Sequence, residues 1–206
     1  RKVALATAVP EGEIQIEDMV GRRASNAAEA LDLIDQGIIP VLVSADLEPV
    51  IDNLPVKPTA VIDARLAKRN IDTSIDQAPL VVGLGPGFTG GQDCHAVIEP
   101  KRGHWLGRVI WQGGAIPNTC TPGIVSGKGS DRVLRAPQDG IFQWHVEIGD
   151  SVLTGQVLGV VNGAAVTAPF DGVVRGLITP DTAVSEGLKI GDVDPRADRE
   201  ACFTIS

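Results

Sequence analysis

A chain that repeats itself at a fixed offset has few folds open to it. Shifted by 32 residues, Ala136-Pro137-Gln138-Asp139-Gly140 superposes on Ala168-Pro169-Phe170-Asp171-Gly172, and the register persists: Val152 falls on Val184, Gly155 on Gly187 and Gly159 on Gly191. Two stretches of one pattern, with glycines at matching turns, predict two similar all-β halves. Each completes the other's core in a small pseudo-symmetric barrel or sandwich. Such a repeat constrains architecture and says little about activity.

Upstream the pattern is that of an α/β domain with a partly parallel sheet, crossover helices and then a hairpin. Residues 3–8 and 13–17 read as short strands joined by the turn Pro10-Glu11-Gly12. Asn26, with Glu29 three residues on, predicts a helix start; Leu31 and Ile34 line one face, and Gly37 supplies the stop. The apolar run 38–43 predicts a strand covered on both faces, with Pro40 placing it near an edge or at its own beginning. A second helix is expected over 47–54, closed by Pro55 and Pro58, before buried strands at 60–62 and 80–82. Ligands of parallel sheets bind beyond the carboxyl ends of the strands, which picks out Asp63-Ala64-Arg65 and Gly83-Leu84-Gly85. From Cys94 the pattern alternates into a hairpin whose second strand, 105–111, carries Arg108, with His104 at its start. The Gly-, Pro-, Ser- and Thr-rich stretch 112–130 reads as a linker or long loop. The expected organisation is an α/β domain over 1–111, that linker, and a β domain with a terminal extension over 131–206.

Chemistry concentrates in residues 81–98. Gly83, Gly85, Gly87, Gly90 and Gly91 surround Pro86, and Asp93, Cys94 and His95 follow, side chains able to ligate, attack or transfer a proton. The fragment is a poor dinucleotide fingerprint, because Phe88-Thr89-Gly90-Gly91-Gln92 does not easily open a helix. Its glycines suit a nest of N–H groups for a phosphate or carboxylate, against the plain alternative of a turn. The segment 63–70 predicts a helix with Arg65, Lys68 and Arg69 on one face, either a solvated surface or the cationic wall of the same anion site. On a regular strand Cys94 and His95 point to opposite faces, so they work as nucleophile and base only if the loop irregularity extends through them. The candidate catalytic residues are therefore Cys94, His95 and Asp93. The candidate binding residues are Asp63, Arg65, Lys68, Arg69 and the five glycines, with Arg102, His104 and Arg108 from the hairpin. Three histidines and three cysteines show no metal-ligand spacing.

Composition narrows the partners. A net charge of −8 disfavours a nucleic-acid groove or an anionic membrane as the main partner, and no apolar run approaches the roughly 20 residues of a membrane helix. Three cysteines without a CxxC pair read as reduced thiols, hence a cytoplasmic protein. Arg1-Lys2 leads straight into Val3-Ala4-Leu5-Ala6, and the chain stops within an apolar stretch at Cys202-Phe203-Thr204-Ile205-Ser206, so further segments are expected at both ends.

Taken in order, VIDARLAKRN, APLVVGLGPGFTGGQDCHAVIE, RGHWLGRVIW and GLKIGDVDPRAD resemble a bacterial and archaeal family of accessory proteins of selenium-dependent molybdenum hydroxylase systems, over nearly the whole chain. The resemblance implies a maturation factor whose partners are the hydroxylase or its maturation enzymes. Its ligand would be the molybdenum cofactor or a phosphate-containing selenium donor, bound at Gly83 to Gly91 with Arg65, Lys68 and Arg69. Cys94 would relay the sulfur or selenium. A Rossmann-like glycine-rich segment is expected upstream. The phrases APQDGIF, IGDSVLTGQVLGVV and APFDGVV also resemble the biotinyl and lipoyl carriers, the barrel-sandwich hybrid fold. Carriers present a modified lysine on the hairpin between the halves; the corresponding tip here, Val161-Asn162-Gly163-Ala164, has none, which favours docking over carrying. Three readings stay open: a cofactor-handling maturation factor, a non-catalytic scaffold for the hydroxylase, and a Cys94-dependent small-molecule transferase. Whether the chain is an enzyme, and whether it forms a homo-oligomer, stay open with them.

Overall fold

A computed structural model describes residues 3–45, 48–54, 56–119 and 123–205. The described residues are mostly sheet with few helices. The first strands are β1 Glu13–Ile16, β2 Met19–Arg23, β3 Ile39–Val41, β4 Ala60–Asp63, β5 Leu80–Leu84, β6 Ala96–Ile98 and β7 Val109–Ile110. The rest are β8 Val133–Arg135, β9 Gly140–Trp144, β10 Ser151–Val152, β11 Val157–Val161, β12 Ala164–Thr167, β13 Gly172–Leu177, β14 Ala183–Val184 and β15 Lys189–Asp194. The α-helices are α1 Ala8–Glu11, α2 Ala27–Asp35 and α3 Glu48–Asn53. The chain divides into two compact units, one of residues 1–21 with 121–206 and the other of residues 22–120. No helix among the described residues is long and apolar enough to cross a membrane.

In the first unit the 32-residue offset reappears strand by strand, β8 to β11 recurring as β12 to β15. The two open sheets run β10-β13-β15-β8 and β12-β11-β9-β14, and all their pairings are antiparallel. Exchanging the repeats turns one order into the other, so each sheet draws strands from both halves. The connecting hydrogen bonds repeat as well. Gly155 N donates to Ala168 O and Gly187 N to Ala136 O, while Gly149 N donates to Val174 O and Asp181 N to Phe142 O. Asp171 Oδ1 accepts from Thr154 N and Asp139 Oδ1 from Glu186 N, both at 2.7 Å. The inner faces bury Phe142, Leu158, Val161, Val174, Ile190 and Val193 in one core. Asn162 and Gly163 take positive φ (45° and 85°) at the β11–β12 tip, as a tight two-residue hairpin turn requires.

The N-terminal segment departs from the pattern expected of its sequence. Residues 5–7 form a 3₁₀ turn running into α1, where strands were expected over 3–8; Gly12 (φ 85°) ends that helix. The alanine-rich ALATA favours helix, and a short apolar run cannot declare its own period. In the second unit, Asn26 caps α2 by accepting from Glu29 N, and Glu29 in turn accepts from Ser25 N. Its buried face is Ala30 and Leu33, whereas Ile34 is exposed. The strand expected over 38–43 shortens to β3 and has only one covered face, since Ile39 and Val43 are exposed. The helix expected over 47–54 is α3; Leu47 and Pro55, part of that reading, lie outside the described residues.

The second unit's main sheet runs β4-β5-β6-β7, the first three strands parallel and β7 antiparallel. Asp63 pairs in register with Gly83, so the two strand ends singled out from the sequence do lie side by side. The crossover from β5 to β6 contains no helix: the glycine-rich loop itself makes it. The core beneath contains Val81, Phe88, Cys94, Val97 and Ala115.

Candidate functional site

The loop over residues 85–95 is shaped by what its glycines must clear. Gly83 has no room for a Cβ because the Phe88 ring lies against it, and Gly87 (φ 108°) presses on the Arg69 backbone at 2.5 Å from an ideal Cβ. Asn70 N donates to Gly87 O, so the loop and the segment after β4 are joined through main chain. That segment is not the expected helix. Leu66 and Lys68 take left-handed φ (55° and 66°), and no helical turn forms between Ala64 and Lys68. Arg65, Lys68 and Arg69 consequently do not share a helix face.

Arg65 is held instead by carboxylates. Its backbone N and its Nε donate to Asp63 Oδ1 at 2.9 and 3.1 Å, and its Nη2 donates to Asp63 Oδ2 at 2.6 Å. Nη2 also meets Asp72 Oδ1 at 2.5 Å. Thr73 Oγ1 donates to Asp63 Oδ2 at 2.7 Å. Burial alone would raise the Asp63 pKa; the hydrogen bonds from Arg65 and Thr73 overcome it and hold the carboxyl at about 2. The Arg65 pKa is raised, first by its side-chain bond to Asp63 and then by that to Asp72. Two carboxylates on one guanidinium leave this cluster net negative, a poor start for binding a phosphate. Sequence pointed to Asp63 and Arg65 but not to Asp72 and Thr73, whose part depends on the chain folding back over the strand end.

Several N–H groups of the loop are also engaged. Gly85 N donates to Ile98 O, Gly90 N to Gly113 O and Gly91 N to Cys94 O. Thr89 N donates to Asp93 Oδ2 at 2.7 Å, which puts an internal carboxylate where an incoming anion would bind. His95 faces back to the sheet, its Nδ1 accepting from Val81 N at 3.0 Å. Cys94 is fully buried and donates from Sγ to Ala96 O at 3.2 Å. Burial raises its pKa, outweighing a hydrogen bond from Gly83 N, so at neutral pH it is a thiol. Asp93, Cys94 and His95 are thus adjacent in sequence but turned to three different partners.

Arg102, His104 and Arg108 all lie on the exposed turn between β6 and β7, where His104 and Arg108 share Trp105. The Arg108 guanidinium lies 4.5 Å from the Trp105 ring centroid, and His104 meets the same ring edge-on at 4.9 Å. Under this turn Glu99 is buried, its carboxylate accepting from Lys101 N and Ile116 N at 2.8 and 2.7 Å. A cavity of about 440 Å³ in this unit is lined by Ile51, Asp52, Lys57, Ser74, Asp76 and Gln77, none of them singled out from the sequence. Among the described residues no group of three His, Cys, Asp or Glu side chains could hold a metal ion.

No protein-family model matches the chain. The chain is 47% identical over 204 residues to "Uncharacterized protein YqeB" of Escherichia coli (strain K12), covering 99% of this chain and 37% of that protein. It therefore spans little more than a third of that relative's length. Among solved structures, an aspartoacylase family protein of Mesorhizobium loti is 22% identical, with a TM-score of 0.30 over 31% of this chain and 23% of its own. A succinylglutamate desuccinylase/aspartoacylase of Rhodobacter sphaeroides is 26% identical, with a TM-score of 0.28 over 32% and 23%. Likenesses this slight carry no argument about fold or activity.

Proposed function

We propose that the chain is part of a cytoplasmic accessory protein that matures a selenium-dependent molybdenum hydroxylase, and that it contributes by docking rather than by chemistry. In this reading the repeated β unit is a biotinyl/lipoyl-like barrel-sandwich hybrid without its carrier lysine, used as a rigid platform. The observation that carries the choice is the closure of the glycine loop on itself. Its Thr89 N–H already holds the Asp93 carboxylate, and Arg65 beside it is spoken for by Asp63 and Asp72. A site built to take molybdopterin phosphate or a selenium-donor phosphate would offer those groups free. The buried, protonated Cys94 points the same way, because a chalcogen relay or transferase works through an accessible thiolate.

The test is co-expression of the hydroxylase with the tagged chain. Docking predicts that the hydroxylase is retained and activated equally by the wild-type chain, by Cys94→Ser and by the Lys68→Ala, Arg69→Ala pair. Calorimetry with inorganic phosphate or a nucleotide is expected to show no heat of binding. Loss of activation on Cys94→Ser with the fold intact would return the reading to sulfur or selenium relay. Phosphate binding abolished by Arg65→Ala would return it to cofactor handling.

A further inference from the structure

The turn and strand after β6 expose more aromatic surface than a free surface accounts for. Two of the chain's three tryptophans are here, Trp105 at 47% and Trp111 at 64% exposure, with Leu106 and Val109 also open to solvent. Val109 and Trp111 alternate with Ile110, which packs on the core, so they share the outward face of the strand. Singly exposed apolar residues are ordinary; several on one hairpin, rimmed by charge, mark an interaction site.

The charge around them has one sign. Residues 100–130 contain no Asp or Glu, in a chain that carries 26 of them, yet include Lys101, Arg102, Arg108 and Lys128. Lys101, Arg102 and Arg108 are exposed and form no ion pair among the described residues. The neighbouring acid, Glu99, is buried and occupied by two main-chain N–H groups. The strand also offers main-chain groups. Glu99 N bonds Arg108 O, and the pairing continues as Ile98 with Val109 and Val97 with Ile110. In an antiparallel ladder bonded and non-bonded pairs alternate, so Val109 turns its N–H and C=O away from β6. Because β7 is last in its sheet, those groups face the open edge.

We propose that this hairpin is a docking surface for an extended acidic segment of a partner protein. The segment lies along β7, its carboxylates on Lys101, Arg102 and Arg108 and its apolar side chains on Trp105, Val109 and Trp111. The open edge favours an extended peptide over a lipid surface, which has no strand to add. Three cations on one hairpin suffice for a few carboxylates, whereas a nucleic acid or an anionic bilayer draws on a broad basic face that a chain of net charge −8 does not offer. This deepens the docking reading and rests on it for its biological meaning; the measurement below uses no hydroxylase, so its failure and the failure of that reading are separable.

The probe is a synthetic peptide of alternating glutamate and valine, titrated into the 206-residue chain while tryptophan fluorescence is followed. Binding is expected to shift the emission to the blue as Trp105 and Trp111 lose water. Matched peptides with glutamine or lysine for glutamate are expected to bind at least about tenfold more weakly. Arg108→Glu, and separately Lys101→Glu with Arg102→Glu, are each expected to weaken binding about tenfold while circular dichroism stays unchanged. The proposal is overturned if the acidic peptide binds no better than the glutamine one, or if both charge reversals leave its affinity intact. It is equally overturned if oligothymidylate or phosphatidylglycerol vesicles bind more tightly than the acidic peptide. A dimer in solution that Trp111→Ala dissolves would assign the face to a second copy of the chain and overturn it too.

Discussion

Asp63-Ala64-Arg65 and Asp194-Pro195-Arg196 are one device used twice at strand ends. In both, the Arg backbone N and Nε donate to one carboxylate oxygen and Nη2 donates to the other at 2.6 Å. Arg175 adds a fourth donor at Asp194, as Thr73 does at Asp63. The Arg196 side chain, against an opposing burial effect, holds the Asp194 pKa at about 2, the value Asp63 shares. Both carboxyls are thus depressed below an unfolded value near ~3.9, so they stabilise the fold fully above that pH and lose the contribution as pH falls toward 2. A shift of this size corresponds to at most about 2–3 kcal/mol per site, less where the arginine is partly solvated. Asp63→Asn is expected to lower stability at pH 7 by about 1–2 kcal/mol and to show a shallower loss between pH 4 and pH 2 in urea titrations. Equal slopes for variant and wild type would mean that Asp63 has an ordinary pKa. Cys94 offers a second measurement at this scale. Because its thiol is buried and its pKa raised, iodoacetamide at mildly alkaline pH is expected to spare Cys94 in the native chain and label it once urea is added, read by peptide mass. The pairing of Asp63 with Gly83 was legible from apolar runs ending at those residues. The clamp was not, because Asp72 reaches Arg65 and Thr73 reaches Asp63 only after the chain reverses, and spacing does not encode that reversal.

Elements in this chain are limited by glycine contacts of two kinds. Gly159 lies where the β11–β12 register shifts; an added Cβ would overlap the Gln143 carbonyl oxygen and come within 2.9 Å of the Phe142 ring. Its repeat mate Gly191 would meet the Leu134 side chain at 2.9 Å and Gly176 O at 3.0 Å. Gly155 has open space around it and only its φ of 78° to satisfy. The expected order of damage is therefore Gly159→Ala first, at about 3 kcal/mol, then Gly191→Ala. Gly155→Ala should cost about 1 kcal/mol, the left-handed penalty alone. Urea midpoints at unchanged slope measure it, and Gly155→Ala as the most damaging of the three would refute the steric account. This also explains why the repeat could be read so directly: an offset of 32 residues carries the glycines, and the glycines carry the bulges and turns. The segment after β4 misled for the converse reason. Its residues favour a helix, but Leu66 and Lys68 are turned left-handed between the Asp63 clamp and the Gly87 backbone, contacts from outside the segment that override propensity.

At the scale of the whole β unit, the question is whether a half can exist without its mate. Each sheet combines two strands from each repeat, and the hydrogen bonds of Gly155, Gly187, Gly149 and Asp181 all run from one half to the other. Leu158 and Ile190, equivalent by the offset, lie in one core with Phe142 and Val174, also equivalents. A half by itself would leave its apolar face in water and its strand edges unpaired, so the halves should open together. Truncating Leu158 to Ala removes side-chain atoms from the first repeat alone and is expected to destabilise by about 2–5 kcal/mol, as is Ile190→Ala from the second. Hydrogen exchange separates interlocked from independent halves. If the halves are interlocked, Leu158→Ala speeds exchange at Gly187 N–H and across β13 by the same factor as at Gly155 N–H and across β9. Ile190→Ala then gives the same pattern. Independent halves would instead confine the loss of protection to the repeat that carries the substitution. Since every inter-repeat bond named here donates from one half and accepts in the other, a local opening of one repeat already breaks the main-chain bonds of its mate. The shared response should therefore extend to amides with no contact to the mutated side chain.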